Sequence, residues 1–251
     1  MRLIVRGIGI LLGFLVCVPL HYLSLLVLRR SRWPRRFLAW TAFAAGIEVQ
    51  VEGEPLDRHV LFVSNHISWV DILLLGGSAG AAFVSKEEVA RWPLVGWMAR
   101  LNNTVFVARA ERSAVKVQAD ALRAALARGQ PVALFPEGTV SPDAQVLPFR
   151  ASLFASLFPP LPDVKVQPVA IDYGSAAADL AWVEGETIVA NAARVLNRKG
   201  AMPVTLRFLA PVDPATAGDR KSLSGRSRDE IVEALAGGAF EGEALPLYGS
   251  R

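Results

Sequence analysis

Gly7 to Leu28 is apolar almost without interruption, a run of 22 residues that Pro19 and His21 complicate. As a helix it would extend about 33 Å, the thickness of a bilayer's hydrocarbon core. A surface helix of a soluble domain would alternate polar and apolar faces, so this run needs lipid or a large core around it. A secretory leader would have a shorter apolar centre and a small-residue cleavage site. Here the run ends instead in Arg29, Arg30, Arg32, Arg35 and Arg36, which predicts an uncleaved anchor. Phe37 to Ala45 is a second apolar stretch, too short to span alone. The two form either a helical hairpin dipping into one leaflet or a span with an appended helix, and Arg2 and Arg6 ahead of the run suit the hairpin at least as well. The arginine cluster favours the cytoplasmic face of the cell (inner) membrane.

The rest of the composition narrows the function classes. The chain has 251 residues, is 52% hydrophobic and carries a net charge of +4. Its densest basic cluster lies beside the apolar run, where it matches anionic lipid headgroups; no basic face with groove-reading or base-stacking elements points to nucleic acid. Cys17 is the only cysteine, so there is no intrachain disulfide and no cysteine-based metal site. Inside the apolar run it reads as a small buried hydrophobe.

From Ile47 the texture changes. Ile47, Val49 and Val51 alternate with polar residues as in a half-exposed strand, and His59 to Val63 is a more buried one. Further strands are expected at Ala82 to Val84, Thr104 to Val107, Val132 to Phe135, Val164 to Ile171 and Val204 to Leu209. Helical patterns lie between several of them. The clearest runs from Ser113 to Arg128, with Val115, Ala119, Leu122 and Leu126 on one face and Gly129 and Pro131 as stops. Such alternation predicts an α/β fold, a mainly parallel sheet flanked by helices. The expected organisation is an anchor over 1–45, a globular domain over 46–212, and a polar loop and terminal helix over 213–251. Asp213 to Ser224 reads as a polar, mobile loop, and Ser227 to Glu230 as a capping box opening a helix over Ile231 to Ala236.

Val63 to Ile72, VSNHISWVDI, places His66 and Asp71 five residues apart where a strand passes into a helix expected from Trp69 to Leu75. A carboxylate bonded to one imidazole nitrogen fixes the tautomer and leaves the other free to accept a proton from a substrate hydroxyl. The pair alone is a weak signal, since a chance His-x4-Asp arises in roughly one such chain in eight. A second block supports it. Ala133 to Ser141, ALFPEGTVS, is a buried strand followed by Glu137, Gly138 and Thr139. Ligands in open α/β sheets bind beyond the carboxyl ends of strands, and a glycine there admits an oxyanion to backbone amides.

Two rival chemistries fail on the sequence. Gly76-Gly77-Ser78-Ala79-Gly80 matches G-x-S-x-G, but an α/β-hydrolase triad needs a histidine after the serine, and none follows Ser78. A Gly/Ser-rich loop is the simpler expectation there. Zinc needs three or four ligands, and the three histidines, His21, His59 and His66, have no paired spacing, so no metal is expected. His59 reads as structural. His21 is either a functional group in the anchor or one that reaches the headgroups. Trp92 and Trp97 read as packing or interfacial anchors.

With these blocks in hand, the chain from about Val51 to Pro211 resembles the glycerolipid acyltransferase family, membrane enzymes that esterify lysolipids. Asn65-His66 with Asp71 is similar to the family's first block, Val105 to Arg109 (VFVAR) to its second, Phe135 to Thr139 (FPEGT) to its third and Val166 to Ala170 (VQPVA) to its fourth. Phe83 to Lys86, with Pro93 and Gly96, resembles the linker between the first two. The resemblance implies His66 as general base, Asp71 as its orienting partner, Lys86 and Arg109 at the acceptor headgroup, and Glu137, Gly138 and Thr139 around the acceptor and oxyanion. It implies no cofactor, with acyl carrier protein or coenzyme A thioester as co-substrate and membrane lipid as partner.

Two positions depart from the family's pattern. Asn103 stands where the family usually has glycine, and Val140 where it usually has arginine. The second matters more, because valine supplies none of arginine's paired donors for phosphate; Arg150, in LPFR, is the candidate replacement. The first expectation is therefore acylation of 1-acylglycerol-3-phosphate to phosphatidic acid. The alternative is a lyso-ornithine lipid acceptor, whose subfamily also resembles FPEGT followed by a residue other than arginine. A non-catalytic membrane lipid-binding protein is the alternative of another class.

Overall fold

The computed structural model describes residues 1–107, 112–141, 145–183, 185–237 and 245–246. Helices α1 (Arg2–Leu28) and α2 (Trp33–Ala44) form an antiparallel hairpin. The apolar stretch at Phe37 to Ala45 is thus the second arm. Trp40 Nε1 donates to the Gly9 carbonyl at 2.8 Å and Trp33 Nε1 to Ser24 Oγ at 2.9 Å. His21 is buried and its Nδ1 lies 2.9 Å from Ser31 Oγ. That bond ties α1 to the connection, so His21 serves the turn and not the headgroups. Cys17 is buried as expected, and α1 keeps an exposed apolar flank that includes Ile8, Leu11, Leu12 and Leu15.

The globular part alternates strands and helices: β1 (Ile47–Glu52), β2 (Val60–Ser64), α3 (Val70–Ala79), β3 (Ala82–Lys86), α4 (Glu87–Ala90), α5 (Pro93–Leu101), β4 (Val105–Val107), α6 (Arg112–Ala127), β5 (Val132–Leu134), β6 (Lys165–Asp172), α7 (Ala177–Leu180), α8 (Ile188–Asn197), β7 (Met202–Phe208), α9 (Arg220–Ala236) and β8 (Leu245–Pro246). Among the described residues the strands form one sheet in the order β4-β3-β5-β2-β6-β7-β1-β8. Neighbours from β4 to β6 pair in parallel; β7 turns antiparallel to β6, and β1 then runs parallel to β7. This is the mainly parallel α/β sheet expected from the sequence. Central strand β2 shows why it is buried on both sides: Val60 and Phe62 enter the core under the hairpin and α3, while Leu61 and Val63 enter the opposite core with Leu126, Phe154 and Leu223. The carboxyl ends of β2, β3, β4, β5 and β6 therefore open on one edge.

Three local expectations are corrected. The Gly76–Gly80 stretch is no loop: α3 continues to Ala79, with Gly80 as a left-handed cap at φ 67°. A Cβ on Gly76 would fall 2.3 Å from Leu38 Cδ1, and one on Gly77 would fall 2.8 Å from the Ala39 backbone. The glycines are there so that α2 can lie against α3. Arg35 likewise is not a headgroup ligand: its Nε donates to the Gly77 carbonyl at 3.1 Å and its Nη2 to that of Ser78, a cation at a helix carboxyl terminus. Third, helix α9 begins at Arg220, not within the 227–230 capping box. Asp219 Oδ1 accepts the Lys221 and Ser222 amides, while Ser227 is buried in the helix and bonds back to the Leu223 carbonyl at 2.8 Å. Pro214–Thr216, ahead of it, is a 3₁₀ turn held by Asp213, which also pairs with Lys165 at 2.6 Å. Helix α8, whose amino end Thr187 caps by accepting the Ala190 amide at 3.2 Å, was not anticipated.

Candidate active site

The loop from β2 to α3 carries His66 and Asp71, and its geometry follows from three donors converging on one oxygen. Asp71 Oδ2 lies 2.7 Å from His66 Nδ1 and accepts the amides of Ile67 at 2.8 Å and Ser68 at 3.0 Å. The other oxygen, Oδ1, accepts from the hydroxyl of Tyr173, just beyond β6. Asp71 is fully buried, whereas 18% of the His66 side chain is exposed. With Nδ1 committed to the carboxylate, Nε2 is the ring nitrogen left for a substrate. Phe135 stacks on the imidazole at 4.1 Å and 12°, and itself stacks on Phe83 at 6.2 Å. The ring is held in its plane from one side and by a carboxylate at its edge.

The turn after β5 closes around the same loop. The His66 amide donates to Glu137 Oε1 at 3.1 Å, and the Ser141 amide donates to the His66 carbonyl at 2.8 Å. Glu137 is almost wholly buried, and its Oε2 makes no hydrogen bond of regular geometry among the described residues. Burial, helped by the nearby negative charge of Asp71, pushes its carboxyl up to about 8; the amides of His66 and Leu147 and the Arg228 charge pull the other way. Gly138 adopts φ +73°, and a Cβ there would come within 3.2 Å of the Arg150 guanidinium. Arg150 therefore lies directly over the glycine, with its own amide bonded to the Pro136 carbonyl at 2.9 Å. The Gly138 amide donates to the Phe135 carbonyl at 3.1 Å, closing the turn. Thr139 is exposed beside it.

The remaining candidates divide. Lys86 ends β3 on the same sheet edge, separated from β2 by β5, and is exposed. Arg109 lies outside the described residues. Asn103 has φ 55°, a left-handed conformation that glycine takes freely and asparagine tolerates better than most residues, so the departure from glycine keeps the turn. His59 Nδ1 lies 3.1 Å from the Leu126 carbonyl, a structural role as expected. Trp97 packs on Phe14 of α1 at 5.9 Å, while Trp92 is exposed.

Sequence reasoning missed Tyr173, Phe135 as a stacking partner, and Trp69. Trp69 Nε1 donates to Asn191 of α8 at 2.9 Å; Asn191 in turn donates to Glu186, which Arg194 holds through two nitrogens. Asn65 was noted only as part of the first block. It is buried and bonds both the amide and the carbonyl of Ile171, joining the end of β2 to β6. The position of Tyr173 just past a strand parallel to β2 was the available signal, since it puts the residue on the same sheet edge.

Comparison with known proteins places this arrangement. Residues 48–172 match the protein family described as Acyltransferase. Over 270 aligned residues the chain is 36% identical to the lyso-ornithine lipid O-acyltransferase of Rhizobium meliloti (strain 1021), covering 98% of this chain and 92% of the relative. The chain belongs to the acyltransferase family. This acyltransferase is also 30% identical to the 1-acyl-sn-glycerol-3-phosphate acyltransferase of Neisseria gonorrhoeae, over 78% of the relative and 79% of the chain. The crystal structure of the 1-acyl-sn-glycerophosphate (LPA) acyltransferase PlsC from Thermotoga maritima superposes with a TM-score of 0.61 at 26% identity, covering 96% of this chain and all of that one. The acyltransferase acts on lipid, and its long apolar helix α1 associates it with a membrane.

Proposed function

We propose that the enzyme moves a fatty acyl chain from a thioester, carried by acyl carrier protein or coenzyme A, to the hydroxyl of a lysolipid. Catalysis would need no metal and would take place on the cytoplasmic face of the membrane. The supporting observation is the His66–Asp71 pair: Nδ1 sits 2.7 Å from a fully buried carboxylate, which leaves Nε2 as the base. In this reading Nε2 takes the hydroxyl proton as the oxygen attacks the thioester carbonyl. Asp71 stabilises the imidazolium, the oxyanion forms beside the Glu137–Thr139 turn, and the departing thiolate collects the proton. A thiol ionises near pH 8.5, far below an alcohol, so collapse to ester is chemically easy and no acyl-enzyme is needed.

For the acceptor, lyso-ornithine lipid is the better supported of the two expected substrates. The lyso-ornithine relative matches more of the chain, and at higher identity, than the 1-acylglycerol-3-phosphate relative. The residue after FPEGT is Val140, which offers no donors to a phosphomonoester. The ornithine headgroup presents a single carboxylate, and one guanidinium fork suits it. Arg150, packed over Gly138, would supply that fork. Membranes containing the enzyme should be assayed with lyso-ornithine lipid and lysophosphatidic acid in parallel, before and after Val140→Arg. Preference for lyso-ornithine lipid, with Val140→Arg improving only the phosphate-bearing acceptor, is the expected result. Preference for lysophosphatidic acid that Val140→Arg leaves unchanged would return the phosphate reading to first place.

A further inference from the structure

The two oxygens of Asp71 are held very differently. Oδ2 carries the imidazole and two backbone amides, whereas Oδ1 accepts from a single described donor, the Tyr173 hydroxyl. Tyr173 is 2% exposed and its ring belongs to the core under α3, so water has no access to replace it. We infer that Tyr173 is a positioning residue for acyl transfer, its phenol pinning the plane of the Asp71 carboxylate and setting how strongly that carboxylate holds the His66 imidazole. The inference rests on His66 being the base.

The physical basis is the balance of hydrogen bonds on one buried anion. Without the phenol, Oδ1 would be a desolvated carboxylate oxygen with no described donor, free to rotate out of the plane that directs Oδ2 at Nδ1. The phenol also draws negative charge toward Oδ1. Removing it concentrates charge on Oδ2, so the His66–Asp71 pair takes up a proton more readily. The surrounding groups do not mask this effect. Burial and the Asp71 charge hold the Tyr173 hydroxyl well above its ordinary range, so it stays a donor. Glu137, across the turn after β5, is pushed up to about 8 and is mostly uncharged near neutrality. Asp172, the neighbour of Tyr173, is paired with Arg207 at 2.8 Å. Among the described residues no Lys or Arg pairs with Asp71.

The test is Tyr173→Phe, which keeps the buried ring and removes only the hydroxyl, compared with His66→Ala in the same membranes. We expect kcat to fall about tenfold in Tyr173→Phe with the lysolipid KM little changed, as for loss of one hydrogen bond to a charged group. The acidic limb of the kcat/KM profile should move to higher pH by about half a unit or more. The position of that limb does not depend on how much enzyme is folded, so lower stability of the variant leaves the readout intact. An unmoved limb, with or without loss of rate, would overturn the inference and reduce Tyr173 to packing. An active His66→Ala would instead overturn the assignment of the base itself.

Discussion

The His66 amide donates to Glu137 Oε1 at 3.1 Å, so a side chain from the turn after β5 holds the backbone that carries the imidazole. That side chain is buried, and its carboxyl titrates near 8 against an ordinary 4.5. Between those values the folded protein keeps a proton that the unfolded chain has lost. Stability from this group is therefore fully present below about 4.5 and is lost as pH rises to about 8. Glu137→Gln keeps an oxygen for the His66 amide but cannot ionise. Its melting temperature should fall less than that of the parent across this window and exceed it at pH 8.5. Parallel stability curves for the two proteins would show that Glu137 does not titrate there.

The His66–Asp71 pair makes a second prediction. His66→Ala should lower turnover by about 10² to 10⁴ while lysolipid KM stays near its parent value. Asp71→Asn should cost at least about 10², because the amide puts a nitrogen donor among groups that are themselves donors: His66 Nδ1, the Ile67 and Ser68 amides and the Tyr173 hydroxyl. Steady-state kinetics with a labelled thioester donor measure both. Near-parent turnover in either variant would remove the base mechanism.

Two glycines offer an internal comparison of packing. A Cβ at Gly77 would meet the Ala39 backbone at 2.8 Å, so α2 itself would have to move, whereas one at Gly225, in α9, would meet nothing within 4 Å. Gly77→Val should therefore destabilise by about 1–3 kcal/mol through overpacking. Gly225→Ala should stabilise by about 0.5–1 kcal/mol, the ordinary gain from removing an exposed helical glycine. Thermal unfolding in one detergent reports both signs. A neutral Gly77→Val would mean that the hairpin is not seated on α3.

What the sequence reveals here depends on how far apart the interacting groups lie. The β2 strand was legible because its own residues are apolar on both faces, and the His66–Asp71 pair because its members lie only five positions apart. The Gly76–Gly80 helix was misread as a loop because the reason for its glycines, Leu38 and Ala39, lies more than thirty residues earlier. Tyr173 was invisible for the same cause, its partner being 102 positions away. The start of α9 was misplaced because a Ser-x-x-Glu pattern satisfies the capping rule on paper, while Asp219 was the residue bonded to the first free amides. Local chemistry located the His66–Asp71 pair; contacts between distant segments decided what supports it.

The arginines at the two ends of α1 bear on what its length leaves open. Arg6 donates to the carbonyls of Leu196, Arg198 and Gly200, in the last turn of α8 and just beyond it, at 2.9–3.1 Å. Arg35, just past the far end, donates to carbonyls at the end of α3. A helix of 27 residues is about 40 Å long, and a transmembrane course would put its ends on opposite sides of a hydrocarbon core about 30 Å thick. Both ends are instead held by one globular domain, which fits a hairpin lying in a single leaflet with its exposed apolar flank in lipid. In a Cys17→Ser background, Arg2→Cys and Arg30→Cys should both react with a membrane-impermeant maleimide added from the side bearing the globular domain, and neither from the other side. Labelling of the two positions from opposite sides would establish a true span and require the Arg6 contacts to break in the membrane.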